Sequence, residues 1–578
     1  MINLNSTSRP ARRLRPFTAC LFLGLLISGC STAYYRKSAD KEVYKIVQGK
    51  QQTALGHTNE FTIDTRYSSR DPYDVKAPEI VQDRDREEKQ KLTLPEALLM
   101  GVQNSPQYQL RKENLYISGL NLTRERYNYR PQFFGRSTAT YDRLSNGERS
   151  GRVNSDFGLD QALKTGGSIG LAIANDLLRF YTGDPRRSAV STFSATLFQP
   201  LLRGAGADIA TENLTQAERN VIYEIRDFSY YQSTFAVSIV TTYLTLLQQQ
   251  DVVRNEYDNY LSLVRVRERA EALGVDRMAA LEVDQARQQE LSARSRYIIA
   301  VERYQQSMDQ FNITLGLPLG YQLNLDESAM KEVDTLGLLQ VPLSEKEAYG
   351  LALTNRLDLI NQIDAFEDIQ RKIKVAANRL KTDLNIVSSA SLESDRPTDY
   401  AQFDINDYRA SVGLQLDLPI DRLLERNAYR SSLLAFERQI RTLALFLDDV
   451  RDSIRQGLRS LEQARQNYQI QTVARDLAVR RVENMEILQQ AGQAIIRDVL
   501  DAQSDLLSAN NAVTLTLLNY HITRLRLVLD VGIIKTDEEK FWLKDQVAVY
   551  KPAAGATDVP AQTGASTDLI SPDKLFEK

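Results

Sequence analysis

The sequence predicts a mainly helical protein of two internal copies, each adding short, membrane-facing β-strands to a long helical body. Three observations carry this: two 67-residue stretches almost free of helix breakers, an element order that occurs twice, and segments alternating with a period of two. The chain has 578 residues, with 72 Lys plus Arg against 75 Asp plus Glu, a net charge of −3. Near balance removes any electrostatic case for nucleic acid as a partner. Two His and two Cys leave little material for a zinc, haem or iron–sulfur site. Overall hydropathy excludes a helical membrane bundle, but not a barrel, whose strands are only half apolar.

Residues 1–29 read as a secretory signal. Arg9, Arg12, Arg13 and Arg15 precede an apolar run, Ala19 to Ile27, too short to span a bilayer as a stable helix. The run ends in Leu26-Ile-Ser-Gly-Cys30, which resembles a bacterial lipobox, where cleavage before the Cys is coupled to its acylation. Cys30 is therefore the expected lipid anchor. At about 0.8 kcal/mol per buried methylene, two or three acyl chains hold a protein at a membrane. Ser31, rather than an Asp, follows it, which favours the outer membrane over the inner. Cys20 falls in the removed segment, so no internal disulfide is expected. Residues 30–91 are polar and include the charge run Asp83 to Lys91, the composition of a lipid-anchored, solvated linker. Residues 533–578 read as a periplasmic C-terminal tail, rich in Ala, Thr, Asp, Gly and Pro from 552 onward.

Copy one is expected over 92–317 and copy two over 343–532. Each opens with a capped helix, Thr93 serving as N-cap in the first and Ser344 in the second. A second helix, a set of period-two segments, a very long helix, a Gly break and a further helix complete each copy. The long helices are expected over about 207–273 and 423–489; at 1.5 Å per residue each would span about 100 Å. Phe228, Phe235, Ile239, Tyr243 and Leu246 step by threes, fours and sevens, as do Leu443, Leu447, Val450, Ile454, Leu458 and Leu461. Such stripes are seams of coiled-coil-like packing.

Barrel strands are expected at about 131–143 and 188–200 in copy one, and 384–394 and 408–419 in copy two. Ala410, Val412, Leu414, Leu416 and Leu418 point one way, whereas Ser411, Gly413, Gln415 and Asp417 point the other. An extra hairpin, Phe157 to Ala162 and Gly167 to Ala174, is expected to project outside the wall, the alternative being that it adds strands to it. Four strands cannot close around a lumen, and an open edge in lipid leaves backbone groups unsatisfied at several kcal/mol each. Several chains must then share one barrel.

These features together resemble the TolC-type outer-membrane efflux protein family. Leu197-Phe-Gln-Pro-Leu-Leu-Arg-Gly-Ala-Gly206 and Leu416-Asp-Leu-Pro-Ile420 are similar to its strand-to-helix junctions. Asn312 to Pro318 and Leu529 to Gly532 are similar to its helix-pair ends, and Ala491 to Ala502 to its periplasmic turn and helix. The resemblance implies a homotrimeric, twelve-stranded barrel in the outer membrane, continued by a periplasmic α-helical barrel. It also implies a periplasmic adaptor (membrane fusion) protein and an inner-membrane RND or ABC transporter as partners, in tripartite efflux without chemistry of the channel's own. By the Asp-Val-Leu-Asp match, Asp498 and Asp501 would ring the closed aperture, with Glu282 near the equivalent position of copy one. Family members often carry a basic tether where this chain has Ala494, so Arg497 is the candidate substitute. At about 8 Å and an effective dielectric near 20, two carboxylates of such a ring would repel by roughly 2 kcal/mol.

No catalytic constellation, cofactor motif or metal-ligand spacing is present; His57 and His521 read as structural or solvent-facing. Two other functions compete with an efflux duct. One is the outer-membrane component of a type I protein secretion system, which sequence does not separate from efflux. The other is a non-pore coiled-coil lipoprotein, against which the alternating strands argue.

Overall fold

The structure, a computed structural model, describes residues 31–182, 187–274, 280–394, 401–491 and 493–547. Cys30 and the signal segment lie outside them, as does the tail beyond 547. In chain order the elements are α1 (Thr32–Leu55), α2 (Ala77–Arg84), β1 (Lys89–Leu92), α3 (Leu94–Asn104), α4 (Pro106–Tyr127), β2 (Gln132–Arg143), β3 (Arg149–Ala162), β4 (Ser168–Thr182) and β5 (Arg187–Pro200). There follow α5 (Glu212–Gly274), α6 (Ala280–Leu315), β6 (Gln322–Leu325), α7 (Ser328–Leu336), α8 (Glu345–Asn355), α9 (Leu357–Asn378), β7 (Asp383–Ser394), β8 (Phe403–Asp417), α10 (Leu423–Gln490) and α11 (Ile496–Val531). The chain is mainly helical, and its residues divide into two compact units.

The first unit comprises Met1–Asp64, Lys112–Ile225 and Arg371–Arg430. Its centre is a six-stranded antiparallel sheet in the order β2-β3-β4-β5-β7-β8. Six strands replace the expected four. The extra hairpin does not project from the sheet; it runs from Arg149 to Thr182 and fills the middle, bonded to β2 on one side and β5 on the other. The expected twelve rested on four strands per chain, whereas one chain's sheet holds six. The physical reason lies in the glycines of the seam: a Cβ on Gly135 would stand 3.0 Å from the ring of Phe157, and the ring of Phe134 lies where a Cβ on Gly158 would stand.

The same unit overturns the solvated linker. Helix α1 buries Val43, Ile46 and Val47, an i, i+3, i+4 stripe. Val43 sits so close to Gly119 of α4 that a Cβ there would meet its Cγ1 at 2.6 Å. The Tyr116 hydroxyl donates to Asp40 at 2.8 Å, fixing the same helix pair.

The second unit comprises Thr65–Arg111, Arg226–Gln370 and Ser431–Lys578. Here the rest of the expected linker supplies β1, which pairs in parallel with β6, and Tyr243 donates its hydroxyl to the Leu92 carbonyl at 2.8 Å beneath them. Both copies open as expected. The Thr93 hydroxyl accepts from Glu96 N–H while Glu96 accepts from Thr93 N–H, and Ser344 and Glu347 repeat the exchange. Val450, Ile454 and Leu461 of α10 pack on Tyr520, Leu527, Val528 and Val531 of α11, with Ala348 and Ala352 of α8 closing the layer. Val547 joins this core and Phe541 and Trp542 are buried, so residues 533–547 are a docked segment rather than a tail. Arg524, 2% exposed, secures it by donating to the carbonyls of Lys544 at 2.9 Å and of Trp542.

Beside Arg524 lies His521, only 1% exposed. Burial, reinforced by the Arg524 charge, pushes its pKa down to about 4. A depressed folded-state value means that the neutral ring contributes stability above its ordinary pKa, and that this is lost as pH falls from about 6.5 towards 4. The loss should approach about 3 kcal/mol, taking 1.36 kcal/mol per pKa unit. Urea titrations at pH 7 and 4, read by emission of the chain's one tryptophan, Trp542, should show it; His521→Phe should flatten that leg.

Candidate pore surfaces and aperture

The sheet separates two chemistries by strand parity. Register places Phe133, Leu159, Leu171, Ala195, Ala390 and Ala410 in one row of one face. The rows beside it hold Phe157, Ile173, Phe193 and Leu392 on one side, and Ile169, Leu197 and Val412 on the other. This apolar face is open: Val412 is 80% and Leu414 71% exposed. Along β2 this face spans Phe133 to Tyr141, nine residues, crossed by one polar row of Ser137, Ser155, Asn175 and Ser191; a tilted strand needs about 9–11 to cross a bilayer. At its far end the Tyr141 and Tyr181 rings lie 6.4 Å apart, with Arg179 over Tyr181. The opposite face carries Arg136, Arg152, Asp156, Asp160, Asp176, Glu393 and Arg409. Arg152 approaches Asp176 at 3.7 Å and Arg409 approaches Glu393 at 3.9 Å. Among the described residues no helix is long and apolar enough to cross a membrane.

The expected aperture residues sit where α11 begins. Ile496 and Leu500 pack on Leu263 and Ala270 of α5 and on Ala286 and Ala293 of α6. Val499 and Ala502 are buried as well. At 100° per residue this turns Asp498 and Asp501 to the other side of the helix, where Asp498 is half-buried and Asp501 exposed. Arg497 is exposed beside them. Glu282 lies in the first turn of α6, half-buried. Among the described residues no hydrogen bond or ion pair joins Glu282, Arg497, Asp498 and Asp501 to one another. The copy-one turn expected to be longer, residues 275–279, lies outside the described residues.

Two further features of this end escape sequence reasoning. Asp505 continues the acidic face four residues beyond Asp501 and pairs with Arg481 of α10. The spacing Asp498, Asp501, Asp505 is a readable three-plus-four signal for one helix face. Arg267 of α5 bridges Glu271 of its own helix at 2.8 Å and Glu290 of α6, tying that helix pair. Among the described residues no group of three His, Cys, Asp or Glu could hold a metal ion. What the site offers is charge and shape on an oriented scaffold.

No protein-family profile and no curated protein matches the sequence. Solved structures do match in shape. The outer-membrane channel CmeC of Campylobacter jejuni is 14% identical, with 84% of this chain and 91% of that one covered, at a TM-score of 0.56. The outer-membrane protein VceC of Vibrio cholerae is 14% identical over 76% of this chain and 96% of its own, TM-score 0.54. The open state of the MtrE outer-membrane channel of Neisseria gonorrhoeae is 12% identical over 76% and 88%, TM-score 0.54. The chain therefore has the fold of the TolC-type outer-membrane channels.

Proposed function

We propose that this protein is the outer-membrane channel-tunnel component of a tripartite efflux pump, a passive export duct leading from the periplasm to the exterior. The observation that carries the reading is the six-stranded sheet, with one face apolar and open and the other polar. An apolar face of this extent needs lipid against it, and a sheet with two free edges in lipid must find partner edges. A homotrimer, the number the resemblance implies, would supply them. Its tunnel would meet a periplasmic adaptor protein and an inner-membrane RND or ABC transporter, and Cys30 would add a lipid anchor in the outer membrane. The duct works by shape and charge and is not an enzyme.

Purified protein in a planar bilayer should conduct ions; a protein that folds as a monomer in detergent-free buffer and passes none would refute the reading. Asp498, Asp501 and Asp505 share the outward side of α11 at its start, and we assign the first two to the aperture, with Glu282 and Arg497 nearby. Stacked carboxylate rings attract divalent cations. Asp498→Ala with Asp501→Ala should abolish block by divalent cations in single-channel recordings, and unchanged block would remove these residues from the gate.

A further inference from the structure

Among the described residues the middle hairpin, β3–β4, has no counterpart in the second copy, which supplies the pair β7–β8 between its helices. It is built into the sheet at both ends and along both seams. The β2–β3 ladder runs from Gln132↔Asp160 to Arg143↔Arg149 without a break. A ring covers a glycine across that seam on each face: Phe157 on Gly135, and Phe134 on Gly158. Farther out Tyr181 covers Gly151, where a Cβ would stand 3.0 Å from its ring. At the inner end the hairpin's turn locks onto the strand-to-helix junction, where Gly206 N–H donates to the Thr165 carbonyl at 3.1 Å and the Thr165 hydroxyl donates to Gln199 at 2.9 Å. Gly166, at φ +95°, lies so near that a Cβ would stand 2.2 Å from the Gly204 oxygen.

Parity in the hairpin follows the rest of the sheet. Val153, Phe157, Leu159, Leu171, Ile173 and Leu177 share the apolar face; Arg152, Asp156, Asp160 and Asp176 share the polar one. A hairpin outside the sheet would have no use for that alternation. The hairpin itself brings three carboxylates and one guanidinium to the polar face, a net of two negative charges per copy, with Arg136 of β2 opposite Asp156.

We propose that β3–β4 is a wall segment of the shared barrel, which widens the pore and lines it with an acidic patch favouring cationic permeants. The inference rests on the channel reading above. Barrel diameter grows roughly linearly with strand number, so six strands per copy in place of four widen the lumen by about half and its cross-section about twofold. A ring of carboxylates raises local cation concentration in such a lumen.

Cysteine scanning of the full-length protein in lipid vesicles tests the placement, since Cys20 and Cys30 both lie outside the strands. A membrane-impermeant thiol reagent should modify Asp156→Cys and Asp160→Cys and should spare Leu159→Cys and Leu171→Cys. Modification of all four would overturn the inference. Asp156→Asn with Asp160→Asn and Asp176→Asn should move the reversal potential in a tenfold KCl gradient towards zero, and an unmoved potential would overturn the charge assignment. Polyethylene glycols added from the outer side enter only the barrel; deleting 149–182, which leaves β2 antiparallel to β5, should cut the largest admitted radius by about one third. An unchanged cut-off overturns the widening, and should the deletion fail to fold, the labelling pattern still decides. Wild-type protein without any conductance would defeat the channel reading and this inference together, whereas conductance with the wrong labelling pattern defeats this inference alone.

Discussion

Gly316→Ala and Gly532→Ala should each destabilise the second unit by about 2–5 kcal/mol, the largest effect expected of any single methyl group in it. Both glycines close a helix in the left-handed region, at φ +78° and +77°. Both complete the same pair of hydrogen bonds. Gly316 N–H donates to Ile313 and Leu317 N–H to Asn312; Gly532 N–H donates to Leu529 and Ile533 N–H to Val528. These are the two bonds of a Schellman cap, and a side chain in that conformation costs roughly 1–2 kcal/mol. The rest of the effect comes from what each glycine touches. A Cβ on Gly316 would stand 2.1 Å from the Asn104 carbonyl oxygen, at the junction of α3 and α4. A Cβ on Gly532 would stand 2.9 Å from the backbone of Arg356, at the junction of α8 and α9. Backbone atoms do not rotate away, so the added methyl forces the helix end off its neighbour, at roughly 1–3 kcal/mol of overpacking. Gly350→Ala is the control: it lies inside α8 with nothing within 4 Å of the new methyl, and should gain up to about 1 kcal/mol. Urea titration read at Trp542 would resolve the opposite signs. Equal effects at all three positions would mean that the caps are not packed as described.

The paired caps also show what local spacing makes readable. Thr93 with Glu96, Ser344 with Glu347, and the two cap glycines act within four or five residues of chain, so residue type and spacing state them in full. The contact between Gly316 and Asn104 spans more than two hundred residues, and only the recurrence of the same order in copy two hints at it. Helix α1 was illegible for a different reason. Its three buried apolar residues, Val43, Ile46 and Val47, are diluted by Lys, Gln, Asp and Glu in a window whose average polarity matches a linker. What turns it into structure is a glycine elsewhere, Gly119, which has no reason in its own helix to be there.

The strand pattern misled in a more instructive way. Period two states which residues share a face, and the faces were legible from Ala410 to Leu418. It does not state which strands are neighbours. The inner turn of the extra hairpin, Lys164-Thr-Gly-Gly167, has the composition of an exposed tip, whereas it is clamped beneath the strand-to-helix junction by Gln199 and Gly206. At the aperture end, acidic residues at helical spacing identify a face of α11. The partner of Asp505, Arg481 on the preceding helix, and the separate Arg267–Glu290 tie between α5 and α6 are tertiary pairings that no local spacing encodes.

Val412→Arg should be costly where Ser411→Arg is tolerated, although the two residues are adjacent. Val412 is 80% exposed on the apolar face, across the strand pair from Ser388. An arginine inside the apolar band of a membrane barrel costs up to about 4 kcal/mol, and each copy of the proposed homotrimer would bear that cost. Ser411 faces the other way. Its hydroxyl shares a 2.8 Å hydrogen bond with Ser389, and losing that contact on a wet surface costs about 1 kcal/mol. Urea titration of the protein in phosphatidylcholine vesicles should therefore show a large loss for Val412→Arg and a small one for Ser411→Arg. The second variant should instead alter single-channel conductance, because its charge points into the proposed lumen. In water the order would differ: an exposed valine replaced by arginine on a solvated sheet is nearly neutral, and removing the Ser411–Ser389 bond would then be the larger loss. The sign of that single comparison thus separates a sheet bathed in lipid from one bathed in water, and with it a channel wall from a soluble stalk.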